Sequence, residues 1–441
     1  MSVTKHRVRK VAAVALAAVT ALGAVAVCGD EAPPAGAKPT KLVVDTFSEF
    51  GYDDLVKEYQ AQTGITIELR KNGGLGEYRP KLVRYLATGK GAGDVVALEE
   101  GIINEFKLNP ETWVDLSEYG MGSKSSEYLP WKWELGKAPD GRLIGLPTDV
   151  GSLAVCYRSD LFAAAGLPTD REAVSALWPT WDKFIEVGQQ YRTASGGKAL
   201  LDSVTTAASA IMVQTGGDTF YDAEDNLYVG EAKPENLVAA KSPAVKAAWD
   251  TSLKMVDANV TAKVRTWSNE WNAGFKNGAF AATFCPSWMT GIVEGNSGAE
   301  NKGKWDLAAL PGGAGNWGGS WLAVPAQTDY PEEAAKLAAF LTNASSQVAA
   351  FKLKGPLPTN ISALENPDFT GFKNPYFSDA PTGAIFGESV KNIKPVHLGP
   401  KHASVKERAL EPALQAYEGG QASATEAWSQ FLSNIPAQGS L

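Results

Sequence analysis

Between Lys41 and Leu98 the chain alternates short apolar runs with amphipathic stretches, and this rhythm limits the possible folds more than any other feature. "KLVVDTF" (41–47) is an apolar run of strand length. "YDDLVKEYQAQ" (52–62) sets Leu55, Val56 and Tyr59 on one helical face, with Asp53 and Asp54 in the first turn, where the helix dipole favours negative charge. "ITIEL" (65–69) alternates as a strand should, a helical stretch follows around Tyr78 to Ala87, and "GDVVAL" (93–98) is strand again. This order predicts an α/β domain with a largely parallel sheet. Ligands of such sheets sit beyond the carboxyl ends of the strands. The loops after the three strands, "SEFGY", "RKNGGLGEY" and "EEG", therefore supply candidate contacts: Glu49 and Phe50, Arg70 and Asn72, Glu99 and Glu100. For each, a solvated loop residue is the competing reading.

The amino terminus sets the compartment. Lys5, Arg7, Arg9 and Lys10 precede an apolar run from Val11 to Val27. A basic segment followed by such a run reads as a secretory signal, residues 1–27. The run is short of the ~20 apolar residues that a membrane span needs. Cys28 stands at the junction and resembles the acylated first residue of bacterial lipoproteins, although Val27 stands where that motif usually has a small residue. Residues 28–40, rich in Pro, Ala and Gly, read as a flexible tether. The expected location is extracellular, on the outer face of the membrane through lipidated Cys28, with simple secretion as the alternative.

Removing residues 1–27 takes away four cations and no acids, so the net charge moves from −8 to −12. An acidic surface argues against nucleic acid as a partner. The remaining length exceeds one hydrophobic core and predicts two lobes. Cys156 and Cys285 are the cysteines left after Cys28, and in an oxidising exterior such a pair is expected to form a disulfide. Only His397 and His402 remain beyond the signal, which leaves little for a Cys/His catalytic pair or a His-based metal site. The sequence assigns no cofactor, no metal and no catalytic residue.

Further along, "SDLFAAAGLP" and "WDKFIEVGQQYRT" read as helices and "GAFAATF" (278–284) as a buried strand. "YPEEAAKLAAFLTN" is a helix with Pro331 in its first turn, and "SATEAW" (423–428) offers a Ser-x-x-Glu capping box. "GGDTFYDAEDNLYV" lacks the glycine and terminal Glu of a calcium loop and reads as a turn.

Taken in order, "KLVVDTFSEFGYDDLVKEYQAQTGI", "GLPTDVGSLAVCYRSDLFAAAGLP", "GAFAATFCPSWMTG", "NWGGSWLAVP" and "YPEEAAKLAAFL" resemble the carbohydrate-binding lipoproteins of bacterial ABC importers, of the maltodextrin-binding-like class. The style is similar to actinobacterial, cellobiose-binding members. The resemblance implies a two-lobed α/β periplasmic-binding-protein fold with a hinge and a central ligand cleft. It places residues 41–148 and about 290–344 in the first lobe, and about 149–289 and about 345–441 in the second. It implies an oligosaccharide ligand, delivery to membrane permease subunits, a monomer and no enzymatic activity. Which sugar is bound does not follow from the fold.

"PGGAGNWGGSWLAVP" (311–325) then gains a meaning. A sugar ring has an apolar C–H face suited to an aromatic plate and a hydroxyl rim suited to close polar contacts. Trp317 is the expected plate, with Gly318 and Gly319 baring backbone to the rim. Trp321 begins an apolar strand and is expected in the core. Trp288, ending "CPSW", matches the position of a ligand-stacking tryptophan in the family. Asp149, in "PTDVG", lies at the first crossing between lobes, as a hydroxyl acceptor or a hinge cap. Two stacking tryptophans suit a flat β-linked chain such as a cello-oligosaccharide. The competing functions are a secreted glycoside hydrolase, which needs two carboxyls ~5–5.5 or ~6.5–9.5 Å apart, and an importer component for a non-sugar solute.

Overall fold

The computed structural model describes residues 38–439; the signal segment, Cys28 and most of the tether lie outside the described residues. Two sheets organise the chain. The first runs Thr66–Lys71, Lys41–Thr46, Val95–Glu99, Ser320–Ala323, Gly145–Pro147 across its width. Its first three strands are parallel, joined by the helices Asp53–Thr63 and Leu75–Thr88. Ser320–Ala323 runs antiparallel to both of its neighbours. The sheet is therefore mixed rather than largely parallel. The reason is geometric: strands leaving the first lobe point their carboxyl ends at the crossing, so a strand returning from the second lobe enters against them.

Alternation along Val95–Leu98 shows why this lobe is a three-layer sandwich. Val95 and Ala97 join one apolar cluster with Leu42, Val44 and the helices Asp53–Thr63 and Pro331–Thr342. Val96 and Leu98 join the other with Tyr78, Leu82, Ile103 and Trp321. All four are fully buried, as a strand covered on both faces requires. The expected core position of Trp321 is observed.

The second sheet runs Trp305–Ala308, Leu153–Arg158, Phe280–Pro286, Ala199–Leu201. Trp305–Ala308, which the expected boundaries assign to the first lobe, pairs antiparallel with Leu153–Arg158 of the second. The chain stays with the second sheet through this strand and crosses back only afterwards. One face of the sheet carries Val155, Tyr157 and Phe284 under the helices Trp181–Ala194 and Val204–Met212. The other carries Ala154, Cys156, Cys285 and Leu307 against Trp271, Phe275 and Met289. The last helix, Ala424–Gly439, starts with the expected capping box: Ser423 Oγ accepts from Glu426 N–H, and Glu426 Oε2 accepts from Ser423 N–H at 2.8 Å.

Three segments connect the sheets. Residues 148–153 and 315–320 lie side by side: Thr148 N–H donates to Ser320 O, Trp317 N–H to Gly151 O and Leu153 N–H to Gly315 O. Leu357–Pro358 pairs on the other side of Asp149–Val150. Gln347 ties this third segment in. Its Nε2 donates to Pro147 O and Thr342 O, and its Oε1 accepts from the N–H groups of Thr359 and Asn360.

Cys156 and Cys285 form a disulfide between adjacent strands, with Cα atoms 5.5 Å apart. In the strand register Ala154 faces Cys285 and Cys156 faces Thr283, so the cysteines are diagonal neighbours on one sheet face. The bond closes a loop with a sequence separation of 129 residues that contains the helices Trp181–Ala194 and Val204–Met212. Replacing both cysteines with alanine is expected to cost ~2–5 kcal/mol. Denaturant unfolding of the variant measures this, and an unchanged midpoint would show that the strands hold this lobe without the bond.

Candidate functional site

The site is built where the first two crossing segments meet the end of strand Val95–Glu99. Register puts Glu99 opposite Ser320, so the glycines before Ser320 lie against Glu99 and Glu100. Glu100 opens the short helix Glu100–Phe106, and its N–H donates to Gly319 O at 3.0 Å. Its carboxylate, buried, receives Lys132 Nζ at 2.5 Å and Asn316 Nδ2 at 2.8 and 3.0 Å. Lys132 is fully buried, with its ammonium 3.9 Å from the centre of the Trp321 ring. Asn316 Oδ1 in turn accepts from Gly151 N–H. One carboxylate thus fastens three parts of the chain.

The glycines serve this packing. Gly318 and Gly319 have φ of 83° and 103°, which residues with side chains rarely adopt. A Cβ on Gly319 would lie 2.3 Å from Asp149 O and 2.7 Å from Lys132 Nζ. One on Gly151 would lie 1.8 Å from Trp317 O. The carbonyls expected to face a sugar rim are engaged inside the protein: Gly319 O by Glu100 N–H and Gly318 O by Lys132 Nζ at 3.5 Å. Bare backbone is needed here because two crossing segments and a buried lysine pass in contact.

The aromatic surface stands beside this knot. Trp317 and Trp288 are both half-buried. Their rings meet edge to face at 6.2 Å, and Trp288 Nε1 donates to Trp317 O at 3.1 Å. Trp317 packs on the second lobe's core and carries Lys406 Nζ 5.0 Å from its ring centre. Glu99 faces the same place. Its Oε2 caps the helix that follows by accepting from Gly101 N–H at 2.6 Å, and its Oε1 points toward Gly318. Burial, then the charge of Glu100, push the Glu99 carboxyl up to about 7, against the pull of Lys406 and Lys132.

The structure gathers Trp288, Trp317, Gly318, Gly319, Glu99, Glu100 and Asp149 at the crossing and leaves the others apart. Asp149 is buried, its Oδ1 accepting from Thr148 Oγ1 at 2.6 Å; burial raises its pKa while Lys132 opposes the rise. It sits where a hinge residue would. Arg70 lies 2.8 Å from the Asp45 carboxylate, and Asn72 donates to the same group at 3.2 Å. Glu49 is exposed and paired with Lys71. Phe50 packs edge to face on Phe47 in the first core.

Sequence reading missed Lys132, Asn316, Lys406 and Trp267. Lys132 gives no signal in "PWKWEL" beyond its aromatic neighbours. Lys406 opens a π-helical turn, Lys406–Leu410, of a kind frequent at functional sites, but no sequence pattern marks it. Contacts between the lobes were also invisible. Glu105 of the first lobe pairs with Arg79 and with Lys401, Arg79 donates to Ser404 Oγ, and Ala403 packs into the first lobe's core. Among the described residues no group of three or more His, Cys, Asp or Glu is placed to hold a metal ion, and no helix is long and apolar enough to cross a membrane.

Residues 54–377, well over half of the chain, match the family model described as bacterial extracellular solute-binding protein. A lactose-binding protein of Rhizobium radiobacter is 30% identical over 203 residues, 44% of this chain and 44% of that one; the match therefore spans less than half of that relative's length. A crystal structure described as extracellular solute-binding protein family 1 superposes with a TM-score of 0.78 at 36% identity, over 91% of this chain and 100% of the other. A binding protein associated with the ABC transporter of B. animalis subsp. lactis Bl-04, in complex with β-1,6-galactobiose, shares the fold at a TM-score of 0.76 and 18% identity, over 91% and 98%.

The raised Glu99 pKa has a consequence for stability. Between pH 4.5 and about 7 the folded protein holds a proton that the unfolded chain has released. The contribution of this carboxyl is therefore full below pH 4.5 and lost as pH rises through 7. Glu99→Gln, which resembles the protonated form, should lie within about 1 kcal/mol of the wild type at pH 5 and gain a further ~1–3 kcal/mol over it by pH 8. Denaturant unfolding without sugar at both pH values gives the answer. A difference that is the same at pH 5 and pH 8 would refute the assignment.

Proposed function

The chain belongs to the family of bacterial extracellular solute-binding proteins, and from that membership we propose that it is the capture component of an ABC sugar importer. It holds an oligosaccharide in the cleft between its lobes and hands it to the membrane permease. The single observation that carries this reading is the meeting of Trp288 and Trp317 at the crossing, with the Glu99 carboxyl beside them. Half-buried indoles offer plates for the C–H faces of pyranose rings, and a carboxyl among them accepts hydrogen bonds from hydroxyls. Relatives that bind lactose and β-1,6-galactobiose support a sugar ligand. Two indoles at an angle suit two successive rings, and a β-linked chain such as cellobiose or a longer cello-oligosaccharide is the form proposed.

The protein works as an extracellular monomer, anchored through an acylated Cys28 and the tether that follows. Its lobes divide near residues 148–153 and 315–320, where the crossing segments lie. A glycoside hydrolase reading finds no support at the crossing, where Glu100, the carboxylate next to Glu99, is held by Lys132 and Asn316.

A thermal-shift screen of mono- and oligosaccharides tests the proposal, because a ligand bound only by the folded state raises the melting temperature. No shift with any sugar would refute it. Two variants then locate the site. Trp317→Ala should lower affinity by ~10–100-fold, the loss of one stacked face at about 1.4 kcal/mol per tenfold, with little change in melting without sugar. Trp321→Ala should do the reverse, costing ~3–5 kcal/mol of stability through a core cavity, with affinity retained in the folded fraction. Calorimetric titration and thermal melts read both. Normal binding and early melting of Trp317→Ala would make Trp317 a core residue.

A further inference from the structure

Trp267 has a position that packing alone does not explain. It lies in the loop before the helix Asn269–Asn277, in a turn closed by Ser268 N–H donating to Arg265 O. Its φ is 68°, at a place in the turn that glycine usually fills, and for a bulky side chain this is a true outlier. Its side chain is nevertheless 53% exposed. The loop is fixed from below, since Thr266 Oγ1 is hydrogen-bonded to Thr205 Oγ1 at 2.7 Å and to Thr206 Oγ1 at 3.4 Å. An apolar residue just before the N-cap Ser268 has an ordinary use, as a staple against the helix, and Trp267 does touch Trp271 at 4.9 Å. A staple requires neither a left-handed backbone nor an indole left half in water.

What the position does provide is continuity with the cleft. The Trp267 ring is nearly parallel to that of Trp288, with an interplanar angle of 21° and centroids 6.3 Å apart. Trp288 is in contact with Trp317 in turn. The three indoles thus form one row that starts at the crossing and ends at the surface. Trp271 lies beneath Trp267, fully buried, with its Nε1 donating to Asp202 Oδ2 at 2.7 Å, so the plate has a rigid support. Residues held in sparsely populated backbone regions cluster at ligand clamps and active sites, and this one displays a large apolar surface beside the indoles of the crossing.

We propose that Trp267 is an outer subsite that stacks a further pyranose ring of an oligosaccharide whose first rings lie against Trp317 and Trp288. The inference rests on the sugar-binding reading given above and adds to it a length preference: chains of three or more rings bind more tightly than disaccharides. Trp267 then sets how much of a saccharide chain the protein holds.

The test is calorimetric titration of the full chain with di- and tetrasaccharides of the cello-, galacto- and malto-series, for the wild type, Trp267→Gly and Trp267→Tyr. Glycine removes the plate and suits the backbone, and tyrosine keeps a smaller plate. The wild type should bind the tetrasaccharide of its preferred series more tightly than the disaccharide. Trp267→Gly should lose about tenfold in tetrasaccharide affinity, one stacked face, and change disaccharide affinity by less than about twofold. Trp267→Tyr should restore most of the loss. Equal losses for both lengths would make Trp267 a mere support for Trp288 and overturn the inference, as would unchanged binding of the tetrasaccharide. A wild type that binds the sugars without preferring the longer chain overturns the subsite alone. A wild type that binds none of them overturns the sugar-binding reading as well.

Discussion

The structure at the crossing depends on one buried ion pair, Lys132 with Glu100. Lys132 is fully buried and Glu100 nearly so. Two charges withdrawn from water cost several kcal/mol each, recovered only when partners and hydrogen bonds surround both. Here they do. The carboxylate takes the ammonium and both Asn316 contacts, and the ammonium also lies over the Trp321 ring. Removing either partner would leave the other charged and alone, a loss of ~3–5 kcal/mol. A well-packed apolar pair would be as stable in principle. It would not fix the relative position of the helix Glu100–Phe106, the segment around Asn316 and the helix Pro130–Leu135, which come from distant parts of the chain.

That requirement explains the glycines and the tryptophans together. Lys132 reaches Glu100 only if nothing stands above Gly319, and residues 148–153 pair with 315–320 only if Gly151 brings no side chain against Trp317 O. Close backbone contact at the crossing leaves the large side chains of the same segments nowhere to go but sideways. Trp321 turns into the first lobe's core, where its Nε1 donates to Lys132 O. Trp317, four residues earlier and still in the crossing, turns toward the second lobe and remains half-buried. The stretch "NWGGSW" therefore puts one indole in each lobe, with the hinge between them.

Local patterns carried most of the fold in legible form. The helix at Asp53–Thr63 buries the three residues its spacing predicts, Ser423 and Glu426 make the expected box, and Trp321 is core because it opens an apolar strand. These outcomes depend on neighbours within a few residues. The features that were not legible depend on partners far away in sequence. Lys132 looks like a solvated helix residue until Glu100 is placed beside it, and Trp305–Ala308 looks like part of the first lobe until its pairing is seen. Gly318 and Gly319 are expected from the sequence to bare backbone to a sugar rim, whereas in the structure both have positive φ and what comes close to Gly319 is Lys132 and the backbone of Asp149. Trp267 carries a signal only in hindsight, a tryptophan where the turn geometry asks for glycine.

The charge arrangement bears on what the cleft can hold. A site for an anionic solute needs a cation free to meet it, and a buried cation already paired cannot serve without leaving its partner exposed to the full cost of burial. At the crossing Lys132 is committed to Glu100. Lys406 lies over the Trp317 ring with Glu411 at 3.8 Å. An amino-acid or peptide carboxylate that recruited Lys132 or Lys406 would have to break its pair. A neutral saccharide, the ligand proposed above, breaks none: the half-buried rings of Trp288 and Trp317 are its proposed plates and Glu99 its proposed acceptor. Because Glu99 gains and loses its proton near neutrality, it also meets a hydroxyl as either partner, donating when protonated and accepting when charged. The pairing of Lys132 and Lys406 within the protein thus favours the proposed neutral ligand over an anionic one at this crossing.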